Sequence, residues 1–218
     1  MGKRVNGNGN LESENRDIRR ATKIKVLGSM EVLLDSGATA VRVEADKNLL
    51  PYIITDIDDD WLVLKMKNGI RYHTNNPMRV YITTPAITNI KVAGSGNVSS
   101  GKKFWSKDPI HLDIAGSGDV NINVNTPKVD ADIAGSGNLN IAGETRDVDV
   151  SVAGSGNFKG FDLKAENAKV KIAGSGDVMI FADVRLEARI AGSGNIKYKG
   201  SASVEKKIAG SGRVVMEQ

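Results

Sequence analysis

The stretch Lys171-Ile-Ala-Gly-Ser-Gly-Asp-Val178 carries the residue types of a phosphate-binding loop: a short apolar run, two glycines around a serine, then an acid. Such loops hold phosphate when their backbone N–H groups open a helix within a βαβ unit, or when they end in Gly-Lys-Ser/Thr. Here the next residues, "DVMIFADV", alternate as a strand, and the Gly-Lys-Ser/Thr ending is absent. Calcium is a second candidate chemistry, because glycine- and aspartate-rich β-rolls bind it between coils. The one dense acid cluster, Asp56, Asp58, Asp59 and Asp60 in "DIDDDW", lies in a hairpin turn and reads as a solvated loop. Glycoside cleavage needs paired carboxylates. Glu44, Asp46, Asp113, Asp130, Asp132, Asp147, Asp149 and Glu187 sit mostly at outward strand positions, where solvated charge is the default. His73 and His111 have no companion ligands in sequence, and no His/Ser/Asp constellation emerges. These patterns predict a protein that is not an enzyme, with no catalytic residues, no metal and no cofactor.

One further segment has binding chemistry. "GKKFWSKDPIH", Gly101 to His111, joins two aromatics to three lysines. Phe104 and Trp105 suit a sugar ring, while Lys102, Lys103 and Lys107 suit an anionic glycan. The competing expectation is that one aromatic caps the core and the lysines are solvated.

What positions these residues is a repeat. Ala-Gly-Ser-Gly begins at Ala93, Ala115, Ala134, Ala153, Ala173, Ala191 and Ala209, at intervals of 22, 19, 19, 20, 18 and 18 residues. A period near 19 indicates an array. Between corners the pattern has period two: Val120, Ile122 and Val124 point one way, Asn121, Asn123 and Asn125 the other, followed by a turn at Thr126-Pro127-Lys128. Each unit is thus two short strands, a polar turn and an AGSG corner. Propeller blades are about twice this length, and a sandwich gives no reason for one tetrapeptide to recur at every second turn. A parallel β-helix does: equivalent residues stack about 4.8 Å apart, so whatever suits the corner once suits it in every coil. The longest interval contains "GKKFWSKDPIH", and extra residues in a solenoid coil bulge out as loops that often carry binding.

The residue after each corner is Asn97, Asp119, Asn138, Asn157, Asp177, Asn195 and finally Arg213. Stacked amides form a hydrogen-bonded ladder. Stacked carboxylates repel by about 1 kcal/mol or more at 5 Å, and each aspartate here is flanked by asparagines. Arg213 supplies the polar end that a solenoid needs.

The expected organisation is all-β: a polar amino-terminal segment over 1–20, an irregular β region over 21–92 continuous with the solenoid, and a regular β-helix over 93–218 with about 19 residues per coil. Within 21–92, "KIKVLGSMEVLL" aligns with the repeat, giving a degraded corner at Gly28-Ser29 with Glu31 in the ladder position. The 218 residues contain no cysteine, which excludes disulfides and thiolate chemistry, and no apolar run near 18 residues that could cross a membrane. The net charge of +4 is scattered without a basic, aromatic-laced block, so no nucleic-acid partner is expected. The amino end lacks the apolar segment of a secretory signal, which fits an intracellular protein or a mature domain without its leader.

"GNGNLESENRDI", "VEADKNLLPYI" at Val43 to Ile53 and the repeated "AGSGN" together resemble the head GIN domain family, a family of unknown function described as an autotransporter adhesin head. The resemblance covers the chain from about Asn6. It implies a right-handed β-helix, export to the envelope of Gram-negative bacteria of the Bacteroidetes type, in the periplasm or at the outer membrane and cell surface, and no established enzymatic activity. The expectation is an adhesin-like envelope protein presenting a surface for adhesion or assembly to a surface glycan or an envelope protein, with a homo-oligomer compatible. The alternative is a carbohydrate-binding or carbohydrate-active lyase or hydrolase on the same scaffold.

Overall fold

The structure, a computed structural model, describes residues 2–218. Strands make up 69% of it; among the described residues there is no α-helix, and one 3-10 turn lies at Leu50–Tyr52. In chain order the strands are β1 (Lys3–Asn6), β2 (Leu11–Arg16), β3 (Lys23–Gly28), β4 (Glu31–Ser36), β5 (Ala40–Asp46), β6 (Ile53–Asp58), β7 (Trp61–Met66), β8 (Ile70–His73), β9 (Arg79–Thr84) and β10 (Asn89–Gly94). The repeats supply β11 (Asn97–Trp105), β12 (Ile110–Gly116), β13 (Val120–Gly135), β14 (Asn138–Gly154), β15 (Asn157–Gly160), β16 (Leu163–Gly174), β17 (Val178–Phe181), β18 (Arg185–Gly192), β19 (Ile196–Lys199), β20 (Ser203–Gly210) and β21 (Val214–Met216). They form a parallel β-solenoid of about six turns with about 20 residues per coil, as seven corners enclosing six intervals require.

Each coil contributes one strand before its corner and one after. The pre-corner stack runs β3, β10, β12, the end of β13, the end of β14, β16, β18 and β20, paired in parallel and in register, with Ala153, Ala173, Ala191 and Ala209 in one column. The post-corner stack runs β4, β11, the start of β13, the start of β14, β15, β17, β19 and β21. Alternation sends one apolar residue in two inward. Ile133, Val152, Ile172 and Ile190 line one side of the core and Leu139, Phe158, Val178 and Ile196 the other, all at most 3% exposed. Each such side chain is worth about 1.5–3 kcal/mol relative to exposure.

The corner explains its own sequence. The carbonyl oxygen of Gly154 accepts from the N–H groups of both Ser175 (2.9 Å) and Gly176 (3.1 Å) in the next coil, and Gly135 does the same for Ser155 and Gly156. Gly174 reaches this geometry with φ of +132°, outside the range of ordinary L-residues. Gly176 is needed for space: a Cβ there would collide with the Gly156 carbonyl and lie 2.8 Å from Val152 Cγ1. At the opposite corner, the buried hydroxyls of Thr126 and Thr145 donate to the carbonyls of Asp108 (2.7 Å) and Asp147 (3.0 Å), closing the turn without exposing polar backbone to the core.

At the amino-terminal end, chain order and spatial order part. β3 and β4 form a coil paired on one side with β10 and β11 and on the other with β7 and β9. Gly28 pairs with Gly94 and Glu31 with Asn97. Beyond β9 lie β5 and then β2, both antiparallel, and beyond β7 lies antiparallel β6. Strands β1 and β8 form a small separate sheet. Two strands, β1 and β2, therefore fall within the polar first 20 residues.

Candidate functional site

The ladder positions stack as one hydrogen-bonded column. The Asp119 N–H donates to Asn97 Oδ1 (3.0 Å), Asn138 N and Nδ2 donate to Asp119 Oδ1 (both 2.9 Å), and Asn157 Nδ2 donates to Asn138 Oδ1 (2.9 Å). The column continues with Asp177 N to Asn157 Oδ1 (3.0 Å), then Asn195 N (2.8 Å) and Nδ2 (3.2 Å) to Asp177 Oδ1. Each acid accepts two bonds from the asparagine of the following coil, so a carboxylate does at these rungs what an amide oxygen does at the others. Arg213 ends the column, exposed.

Beside the ladder the outer face of the post-corner stack carries amides on β13 and at the start of β14, and the row continues through Lys159, Met179 and Lys197 in later coils. Asn121 pairs laterally with Ser99 and Asn140, Asn123 with Lys103, and Asn125 with Trp105 and Glu144. Asn125 Nδ2 donates to Glu144 Oε2 at 3.3 Å. A shallow depression of about 240 Å³ lies over this field between Asn121, Asn140, Lys159 and Phe161. Amides offer both donors and acceptors without net charge, the chemistry that meets hydroxyl-rich ligands.

The long interval is built in two places. Between Ser99 and Lys103 the register against β13 slips, so four steps along β11 oppose two along β13; one further residue enlarges the turn after Trp105. Because the slip adds an even number of residues, inward and outward positions keep their parity. Phe104, opposite Val124, is 2% exposed and belongs to the core; it is withdrawn from any surface contact with a sugar. Trp105, opposite Asn125, is 68% exposed, with Lys103 Nζ 5.7 Å from its ring centroid. Lys102 is held by Asp35 at 3.0 Å, which keeps the Asp35 carboxyl below its ordinary range, and Lys107 stands exposed in the turn. The five residues expected to share a loop are therefore split between core, bulge and rim. The bulge walls a groove of about 800 Å³ with Leu33, Tyr81 and Arg42. Its aromatic floor is already occupied, since the Arg42 guanidinium lies 3.9 Å over the Tyr81 ring.

Most acids of the pre-corner outer face are held by cations, while Asp132 stands exposed without one among the described residues. Lys91 reaches Asp113 (2.8 Å), Lys128 bridges Asp130 (2.9 Å) and Asp149 (3.1 Å), Arg146 holds Asp147 (2.7 Å) and Arg185 holds Glu187 (2.8 Å). Arg146, then the Asn167 amide, lower the Asp147 pKa; Asp130, then Asp149, raise that of Lys128. His111 lies beside Asp130, Nδ1 to carboxylate 3.3 Å, an adjacency the sequence separation of the two residues hides. The Asp56–Asp60 cluster is a two-residue hairpin: Asp58 pairs with Trp61, and Asp59 and Asp60 have positive φ (48° and 67°), which aspartate tolerates. Among the described residues no group of three His, Cys, Asp or Glu side chains is placed to hold a metal ion.

A stack of AGSG corners, an asparagine ladder and an irregular β cap together fit one family model. The model described as "Putative auto-transporter adhesin, head GIN domain" matches residues 21–202. The chain belongs to this family. Among solved structures, this head GIN domain is similar to a "putative adhesin" from Bacteroides fragilis NCTC 9343, at 20% identity over 98% of this chain and 100% of that one, TM-score 0.90; that likeness speaks for the fold. It is also similar to a "putative lipid binding protein" from Parabacteroides distasonis ATCC 8503 (26% identity, 99% and 100% covered, TM-score 0.80) and to a "putative adhesin" from Parabacteroides merdae ATCC 43184 (26%, 99% and 99%, TM-score 0.77). No curated protein matches the chain.

Proposed function

We propose that this head GIN domain is a non-enzymatic protein of the cell envelope, exported to the periplasm or the outer-membrane surface, whose rigid solenoid displays its asparagine-rich face for adhesion to a hydroxyl-rich surface glycan or for assembly with another envelope protein. The carrying observation is an amide cluster fixed on a regular frame: Asn121, Asn123, Asn125 and Asn140 stand at outward positions of two neighbouring coils, beside a ladder whose asparagine and aspartate rungs are each hydrogen-bonded to the next. A surface fixed in this way loses little conformational freedom on binding. The family description and the adhesin name of the Parabacteroides merdae neighbour support the same reading. On the pre-corner face most acids are engaged by cations and the unpaired Asp132 is exposed, an arrangement suited to a solvated surface rather than to acid–base catalysis.

The test is a glycan and envelope-extract array with the purified domain, followed by turnover assays on every hit. Binding without turnover, lost in Asn121→Ala/Asn140→Ala but retained in Lys102→Gln, is the expected result. Cleavage of a bound polysaccharide would replace display with catalysis, and an array with no hit of either kind would refute the adhesive role.

A further inference from the structure

A second surface has an unexplained cost. Lys171, Arg189 and Lys207 occupy one outward row of the pre-corner stack, each paired laterally with the next. Adjacent strands lie about 4.8 Å apart, so these are three exposed cations in line, with no carboxylate within salt-bridge distance of any of them among the described residues. The acids of the adjoining row are spent elsewhere: Lys128 takes Asp149 at 3.1 Å, and Arg185 takes Glu187 and Glu205 at 2.8 and 3.4 Å. Elsewhere on this face the pattern differs: Lys91 in the same row is neutralised by Asp113, and Lys25 lies 5.1 Å from the Trp61 ring centroid. Like charges so close repel one another, and folding alone gives no return for stacking them.

Alongside the cations runs an apolar strip. Ala153, Ala173, Ala191 and Ala209 are exposed, and together with the stems of the three cations they border a shallow groove of about 590 Å³. Its upper end is marked by a change of charge, since the row continues upward through neutral Ser151 to exposed Asp132. The geometry points to a binding site for a linear acidic polysaccharide, lying along the solenoid axis with its carboxylates or sulfates against Lys171, Arg189 and Lys207 and the apolar faces of its sugar rings on the alanine strip. A flexible chain laid along the axis can turn those of its charged groups that face the solenoid toward a row of cations about 4.8 Å apart. A membrane surface fits less well: alanine methyls offer nothing to insert between lipids, where interfacial binding relies on bulky apolar side chains. The site is independent of the asparagine face, which carries the adhesive reading.

The experiment is calorimetric titration at low salt with four probes: a hexamer of galacturonate, a sulfated hexamer derived from heparin, a neutral glucan hexamer, and phosphatidylglycerol vesicles. Both acidic hexamers should bind and the neutral one should not, with affinity falling as salt is raised. Lys171→Gln and Arg189→Gln should each weaken binding about fivefold, the upper range for one exposed ion pair, with melting temperature unchanged or raised. Asn121→Ala/Asn140→Ala should leave this binding intact, which separates the two surfaces. The site is refuted by absence of acidic-hexamer binding at low salt, by binding that survives both glutamine variants, or by vesicles binding while the acidic hexamers do not.

Discussion

Two costs meet in the AGSG corner and can be measured separately, because the protein contains natural controls. Gly28 and Gly174 both have positive φ, +112° and +132°, but a Cβ at Gly28 would have no atom within 4 Å, whereas one at Gly174 would collide with the Gly154 carbonyl. Gly176 carries the steric cost alone, against the Gly156 carbonyl and Val152. Gly28→Ala therefore reports backbone strain, about 1–3 kcal/mol. Gly176→Ala reports overpacking, about 1–3 kcal/mol and more if the coil cannot separate. Gly174→Ala combines them, for about 2–6 kcal/mol. In a domain of this size 1 kcal/mol moves the melting temperature by about 2–4 °C, so the expected losses are about 2–12 °C for Gly28→Ala and twice that or failure to fold for Gly174→Ala. Thermal unfolding followed by circular dichroism, with urea midpoints alongside, measures both. If Gly174→Ala costs no more than Gly28→Ala, coils do not press on one another at the corner and the account of the repeat is wrong.

Three further outcomes follow from the geometry. Asp177→Asn should be neutral within about 0.5 kcal/mol, because its Oδ1 still accepts from Asn195, whereas Asp177→Leu should cost about 1–3 kcal/mol by leaving the Asn195 N–H without its acceptor; urea titration distinguishes them. Phe104→Ala should cost about 3–5 kcal/mol from the core, while Trp105→Ala, at 68% exposure, should leave the melting temperature within error. Asp35 and Asp147 have folded pKa values below the ordinary carboxyl range, chiefly through Lys102 and Arg146. Their contribution is therefore full above the unfolded value near 4 and lost as pH falls through the folded value. Melting temperature against pH should fall less steeply below about pH 4 in Lys102→Gln/Arg146→Gln than in the parent, and an unchanged slope would refute the pairing.

The solenoid was legible because its constraint is periodic. A corner that demands glycine twice and a rung that demands an amide repeat with the coil, and period-two alternation names the core residues between them. The amino-terminal cap was less legible because nothing periodic says that β5 and β6 run antiparallel to β9 and β7, or that β3 and β4 lie inside segments that follow them. In the long interval the surplus was visible but not its division between strand and turn, and that division decides which aromatic faces inward. Lys171, Arg189 and Lys207 each stand two residues before an AGSG alanine; aligning the coils puts them in one column, whereas reading along the chain scatters them.

The displaced first coil has a consequence for how the chain acquires its shape. β3 and β4 need partners on both sides, and the later partners, β10 and β11, extend to Trp105. Almost half the polypeptide must be available before the opening layers can close, and these contacts span long stretches of sequence, the kind that slows folding. From there each coil has a finished template above it and needs only its own 20 or so residues. Assembly is thus slow to begin and quick to continue, so a chain interrupted late should lose only its last layers, while one interrupted before β11 should have no seed on which to build.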